Sequence, residues 1–370
     1  MNRILLAMLA SVVISPAFAA EPFEFDADEP EFSSTFAWRG DIQLRADAID
    51  NLDRVSPRED FRRGLFRLRA GFDWIPNESF QFSALARINR SDRTNEDSRT
   101  DLDNELADSE SIDELFVQFT PDTGTRLALG QMPLPLNLSP ALWDNDLRPI
   151  GGFLAQDVDL GAFNRLRFQI ARFNPNHPFF DEPIIASAED SSRVSATQIA
   201  MDFGHGKRHS WHVRATYLEF ENISSLVPEH LARTNRVSGG TFLNAFSIAD
   251  LQFSFRKNQG MPLEFAVDVF RNLDAADGDD GGRVSLRLGD ALQPGGVEFG
   301  VASQRIQRDA IMAAFGDDDW WFRSWMRGTR AWFGYGITEN SRIQLALFRE
   351  RRDDWDDHLN RGILDFRYTF

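Results

Sequence analysis

The chain ends Arg361-Gly-Ile-Leu-Asp-Phe-Arg-Tyr-Thr-Phe370. From Leu364 onward, apolar and polar residues alternate strictly. Leu364, Phe366, Tyr368 and Phe370 fall on one face of a strand, and Asp365, Arg367 and Thr369 on the other. A sheet in water rarely leaves two aromatics uncovered on one face. In the closing strand of a transmembrane β-barrel that face meets lipid.

The other end of the chain agrees. Met1 to Ala20 has a basic start at Arg3, an apolar run from Ile4 to Ile14 and an Ala17-Phe-Ala19 cleavage pattern. This reads as a secretory signal peptide over residues 1–20. Residues 21–34 then form a periplasmic N-terminal segment and residues 35–370 a barrel. No stretch approaches the ~20 apolar residues of a membrane helix. In lipid only helices and closed barrels satisfy every backbone polar group, so membrane insertion requires a barrel.

Composition narrows the classes. There is no cysteine among the 370 residues, which argues against a disulfide-stapled secreted domain. The mean hydropathy of −0.37 suits a barrel, where only alternate residues touch lipid. Thirty-three Phe and nine Trp are enough for aromatic girdles. A net charge of −17 argues against a nucleic-acid partner.

The alternation recurs along the chain. Phe36, Trp38, Ile42 and Leu44 alternate with Arg39, Asp41, Gln43 and Arg45. Phe66, Leu68, Ala70, Phe72 and Trp74 alternate with Arg67, Arg69 and Asp73. The same pattern returns around Phe80–Ile88, Leu115–Phe119, Leu127–Leu129, Leu166–Ile170, Ile199–Phe203, Trp211–Tyr217, Leu251–Phe255, Leu263–Val269, Val284–Leu288, Val297–Val301, Ala331–Ile337 and Ile343–Leu347. Helical periodicity would break such a register repeatedly. Short turns such as Pro121-Asp-Thr-Gly124 and Lys257-Asn-Gln-Gly260 alternate with long, mostly acidic connections such as Asp47–Asp60, Ser91–Asp113, Glu221–Gly239 and Asp353–His358. Barrels of this type keep the short turns periplasmic and the long loops external. An outward first strand and an inward last strand require an even number. The clear segments number about fifteen, so one strand is missing, best placed at Gly152–Asp157. The fold class is therefore all-β, an antiparallel transmembrane barrel of about sixteen strands, with about fourteen or eighteen as alternatives.

One segment breaks the alternation, from Leu129 through Pro133-Leu-Pro135 and Leu142-Trp-Asp-Asn-Asp-Leu-Arg-Pro-Ile-Gly151. Its prolines forbid a regular central strand. By the strand count it is the third external loop. It reads either as a loop folded into the barrel, with Asp144, Asp146 and Arg148 at a constriction, or as a surface loop with Trp143 at the lipid interface.

Three motifs carry a resemblance. Ser111-Ile-Asp-Glu-Leu-Phe-Val-Gln-Phe119, Leu129-Gly-Gln-Met-Pro-Leu-Pro135 and the Leu142–Gly151 stretch resemble a porin family of Gram-negative outer-membrane β-barrels, and more distantly the phosphate-selective porins. Gln131 stands where that family usually has Lys, and Pro133-Leu-Pro135 replaces its Pro-Phe element. The motifs cover roughly residues 111–152, and the strand-loop rhythm covers the rest. The terminal Phe370 resembles the C-terminal signature of bacterial outer-membrane proteins. The resemblance implies an outer-membrane porin that passes small hydrophilic solutes, in contact with membrane lipid and lipopolysaccharide, assembled as a homotrimer.

If the apolar set faces lipid, the opposite parity faces the pore. That places Arg39, Arg45, Arg63, Arg67, Arg69, Arg87, Arg126, Arg165 and Arg167 on the inner wall of the first seven strands. A basic wall facing carboxylates such as Asp41, Asp73, Glu264 and Asp268 would set a field across the pore and favour anions. Alternatively, these arginines pair with acids and stiffen the wall. Asp274–Gly282 has the carboxylates and glycines of a calcium loop but lacks a downstream bidentate Glu, so it reads as a solvated loop. No metal, cofactor or catalytic site is expected. The histidines form no helical metal pair, and no strand presents an outward His beside an outward Ser. The rival readings are a barrel with a structural or adhesin role and a soluble periplasmic β-rich binding protein.

Overall fold

A computed structural model describes residues 34–370, apart from 53–58, 96–103, 177–191, 205, 224–233 and 240. The expected signal peptide and residues 21–33 of the expected N-terminal segment lie outside the described residues. Sixteen antiparallel strands close into one barrel. The first eight are β1 (Thr35–Leu52), β2 (Glu59–Asn77), β3 (Phe80–Ser91), β4 (Ser109–Phe119), β5 (Thr125–Gln131), β6 (Ile150–Asp159), β7 (Asn164–Asn174) and β8 (Arg193–Phe203). The others are β9 (His209–Glu221), β10 (Phe246–Lys257), β11 (Leu263–Asn272), β12 (Asp280–Gly289), β13 (Val297–Ile306), β14 (Met326–Gly336), β15 (Ser341–Arg352) and β16 (Leu359–Thr369). The missing strand is β6, paired with β5 and β7. It carries Gly151 and Gly152 and so shows weaker alternation than its neighbours.

The seam lies between the two ends of the barrel. Strand β1 pairs with β16 from Asp41↔Thr369 to Asp50↔Asn360. Beyond that ladder the Gly40 N–H donates to the Phe370 carbonyl at 2.9 Å, and the Phe370 N–H returns a bond to Gly40 at 3.0 Å. A Cβ on residue 40 would meet the Phe370 ring at 2.5 Å, so the glycine makes room for the terminal aromatic. At the short-turn end, side chains organise the reversals. The Asn77 Oδ1 accepts from the N–H groups of Ser79 and Phe80, and the Asp122 Oδ1 from those of Gly124 and Thr125.

Side-chain parity holds around the barrel. The apolar set faces outward, as with Trp38 at 73% and Leu129 at 63% exposure. Outward rings cluster near the short-turn end: Phe36 packs on Phe72, Trp74 on Phe82, Phe80 on Phe119, Trp211 on Phe255 and Phe299 on Phe333. The opposite parity faces inward, and one irregularity adds charge to it. The register of β3 against β4 shifts between Leu85 and Ala86, and the bulge buries both Asp113 and Glu114.

The long connections on the other end include L2 (residues 92–108), L3 (132–149), L7 (307–325) and L8 (353–358). The buried apolar core forms where loops inside the barrel pack against inward apolar residues of the strands. Trp143 of L3 is 3% exposed, stacks on Phe315 of L7 at 5.4 Å and meets Phe173 of β7 edge-on at 5.3 Å. Trp320 of L7 packs edge-on against Phe348 of β15. The reading of Trp143 as a lipid-interface anchor is therefore corrected: its ring is held between an inward loop and the inner wall. Because Trp is large and apolar, the dry side of a folded loop is its favourable place.

Candidate functional site

L3 crosses the barrel interior, and each crossing point has a specific bond. The Gln169 Nε2 of β7 donates to the Pro135 carbonyl at 3.0 Å, and the Gln198 Nε2 of β8 to the Asn137 carbonyl at 3.0 Å. The Ser139 Oγ donates to Asp268 of β11 at 2.9 Å. Returning, Asp146 pairs with Arg67 of β2 at 2.9 Å, and Arg148 with Asp113 of β4 at 3.3 Å. Prolines suit this path, because a segment that joins no sheet ladder loses nothing by lacking N–H donors.

L7 meets L3 from the other side. The Asp144 N–H donates to the Phe315 carbonyl, and the Asp317 N–H to the Pro140 carbonyl. The N–H groups of Trp321 and Phe322 donate to the Glu350 carboxylate, and Arg361 donates to the carbonyls of Asp318 and Asp319. L2 joins through Asn104, whose amide donates to Asp144 at 2.7 Å and to the Gly316 carbonyl at 2.9 Å. The Asp144, Asp317 and Asp318 carboxylates gather within 4.8 Å at this junction. Burial, then Asp318, Asp146 and Asp317, push the Asp144 carboxyl well above its ordinary value. Burial would also raise Asp146, but Arg67, Arg148, Arg45 and Arg367 outweigh it and hold that carboxyl below the ordinary range. Two carboxyls two residues apart are thus driven in opposite directions by their neighbours.

These contacts hold the four expected constriction residues inside the barrel. Trp143 and Asp144 are buried where L3 meets L7, and both also reach the space that L3 leaves open toward β9–β12. Asp146 is tied to Arg67, and Arg148 donates to the Asn145 carbonyl as well as pairing with Asp113. Together they staple the loop in place.

The expected arginines lie on the inner-wall parity, and most are engaged. Arg39 pairs with Asp73 and Glu114, Arg69 with Asp41, and Arg87 with Asp113 and Glu105. Arg63 and Arg361 share Asp47, and Arg45 joins Asp365 and Asp319. Arg165 and Arg167 pair with Asp159 and Asp157. Arg126 forms no ion pair among the described residues. Two features of the expected wall need correction. Asp41 and Asp73 stand beside their arginines rather than across the lumen from them. The basic residues also continue around the second half, with Arg214, Arg256, Arg283, Arg287, Arg330, Arg342 and Arg367 at inward positions. The wall is a ring, because the parity that turns arginines inward on β1–β7 operates equally on β9–β16.

L3 leaves open a cavity of about 370 Å³ against the β9–β12 wall, and smaller ones beside Arg67, Asp146 and Arg148. The charged lining of the first is Arg214, Arg256, Arg283 and Arg287 against Asp144, Glu264 and Asp268, an excess of one positive residue (four against three). Glu264 sits between Arg256 at 2.9 Å and Arg287 at 2.5 Å. The Arg214 Nε has no hydrogen-bond partner among the described residues. Continuing the alternation past β7 in the sequence would have found these arginines.

The calcium-loop pattern dissolves on folding. Asp277 pairs with Arg236, and Asp279 and Asp280 with Arg271. An inward Ser–His–Asp chain does occur: the Ser210 Oγ lies 3.1 Å from the His212 Nε2, and the His212 Nδ1 lies 2.5 Å from Asp202. These residues sit in or beside ladders formed with both neighbouring strands, which employ backbone N–H groups that an oxyanion hole would need. The chain is a hydrogen-bonded part of the wall.

Solved structures share this architecture. OprB of Pseudomonas putida aligns with a TM-score of 0.58 at 11% identity, covering 90% of this chain and 94% of that one. OmpT, an outer membrane protein of Vibrio cholerae, aligns at 0.53 and 8% identity, covering 95% and 100%. A Rhodopseudomonas blastica porin aligns at 0.50 and 10%, covering 91% and 100%. No family model matches the sequence, and no curated protein does. In fold, this chain is similar to the porins: a closed antiparallel barrel of sixteen strands.

Proposed function

We propose that this protein is an outer-membrane porin, a passive diffusion channel for small hydrophilic solutes with a preference for anions. The carrying observation is the lumen. A closed barrel is charged within and apolar without, and L3 narrows it to a cavity whose lining has more arginines than carboxylates. No turnover chemistry is required, because the wall sorts by size and biases by charge. Secretion through a cleaved signal peptide and assembly as a homotrimer belong to the same proposal and rest on the sequence patterns and the family resemblance. Chemical cross-linking in outer-membrane extracts tests the trimer.

Reversal potentials in planar bilayers test the preference. Arg67 and Arg69 are tied in ion pairs, so the informative variant is Arg214→Ala, whose guanidinium forms no ion pair among the described residues. The anion-to-cation permeability ratio should fall roughly two- to threefold, on the order of one kT of local potential. A wild-type channel that prefers cations refutes the anion preference.

A further inference from the structure

The outer wall of β11–β15 carries a charged cleft near the long-loop end. One cross-strand row reads Val267, Val284, Ser303, Thr329 and Arg349. The next row toward the loops reads Val269, Gly282, Arg305, Arg327 and Arg351. Small side chains at Gly282, Ser303 and Thr329 leave a depression of about 550 Å³, with Arg305, Arg327, Arg349 and His358 around it. On the short-turn side the wall continues apolar through Phe265, Leu286, Val301, Ala331 and Leu347.

The charge in this cleft is underbalanced. Three other outward arginines have a carboxylate each: Arg90 with Glu110, Arg172 with Glu221 and Arg271 with Asp279. Here Asp353 alone serves Arg327 at 2.7 Å and Arg305 at 3.8 Å. Arg349 is exposed and forms no ion pair among the described residues. Three guanidinium groups thus share one carboxylate at the upper edge of a lipid-facing apolar surface, on a chain of net charge −17. Guanidinium forks match phosphate oxygens in geometry and charge.

We propose that this cleft binds the phosphorylated headgroup of an outer-leaflet glycolipid. The phosphate lies on Arg305, Arg327 and Arg349, and an acyl chain lies along Val267, Val284 and Val301. The proposal rests on the outer-membrane reading, because long loops facing outward place the cleft at the outer leaflet.

The test uses the full-length protein exchanged into detergent with defined lipid, read by native mass spectrometry. The probes are bisphosphorylated lipid A, its dephosphorylated form and phosphatidylglycerol. Wild type should retain bisphosphorylated lipid A at least tenfold more strongly than either other lipid. Arg305→Ala/Arg327→Ala/Arg349→Ala should lose that margin, and the exposed single change Arg349→Glu should lower it severalfold if the triple variant fails to fold. Equal retention by Arg349→Glu, equal binding of the dephosphorylated form, or a changed oligomer with no lipid difference overturns the proposal. Bilayer conductance of the same preparations separates the two readings. It should be unchanged in the variants, and a wild type that binds lipid A without conducting refutes the channel and not the site.

Discussion

At the residue scale, two side chains decide whether the barrel closes and whether it is narrowed. Phe370 lies over Gly40 at the seam, where any Cβ would strike both the ring and the Arg69 carbonyl, the latter at 2.3 Å. Gly40→Leu should destabilise closure by about 1–3 kcal/mol, as overpacking does. The expected reading is a lower temperature for loss of the compact band in heat-modifiability electrophoresis. Trp143 is the apolar anchor of L3. Trp143→Ala should cost about 3–5 kcal/mol of loop docking while leaving the strands paired. L3 should then become cleavable by protease in a barrel that still resists heat, and an uncleaved loop would contradict the anchor role. Phe370 was legible from the last strand alone. The role of Trp143 was not, because its stacking partner Phe315 lies far along the chain.

At the element scale, L3 is held by bonds to five strands and by a junction with L2 and L7. The junction is proton-linked through Asp144. Its carboxyl is raised in the folded protein, so the folded state holds a proton that the unfolded state releases. That contribution is fully present below the ordinary carboxyl value and is lost as pH rises from there through the raised folded value. The wild-type protein should therefore lose thermal stability with rising pH and, on the proposed channel function, show increasing current noise. Asp144→Asn, which mimics the protonated form, should flatten that slope. A slope unchanged in the variant would place the titration elsewhere. L3 announced itself by its prolines and lost alternation. L7 did not: Asp317-Asp-Asp-Trp-Trp-Phe322 has neither alternation nor turn chemistry, and its burial follows only from the Glu350, Arg361 and Phe348 it meets on distant strands.

At the scale of the whole molecule, the lumen wall is a ring of arginines mostly neutralised by adjacent acids. On the proposed channel function, selectivity comes from a small excess of charge and should be readily screened. The proposed anion preference should weaken steadily between about 0.1 M and 1 M salt, as the Debye length falls from about 10 Å to 3 Å. A preference independent of salt would indicate a specific binding site in its place.

The sequence by itself determined the all-β class, the strand parity, an even strand count near sixteen and the third loop as the exceptional one. Each of these is a local property: period-two alternation sets which way a side chain points, and prolines and turn residues set where strands stop. Only the tertiary structure decided which acid neutralises which arginine, that L7 seals L3 from the far side, and where the remaining cavity lies. Those depend on register between strands hundreds of residues apart, as in Asp47 with Arg361 across the seam, and no local pattern encodes the registers around a closed ring.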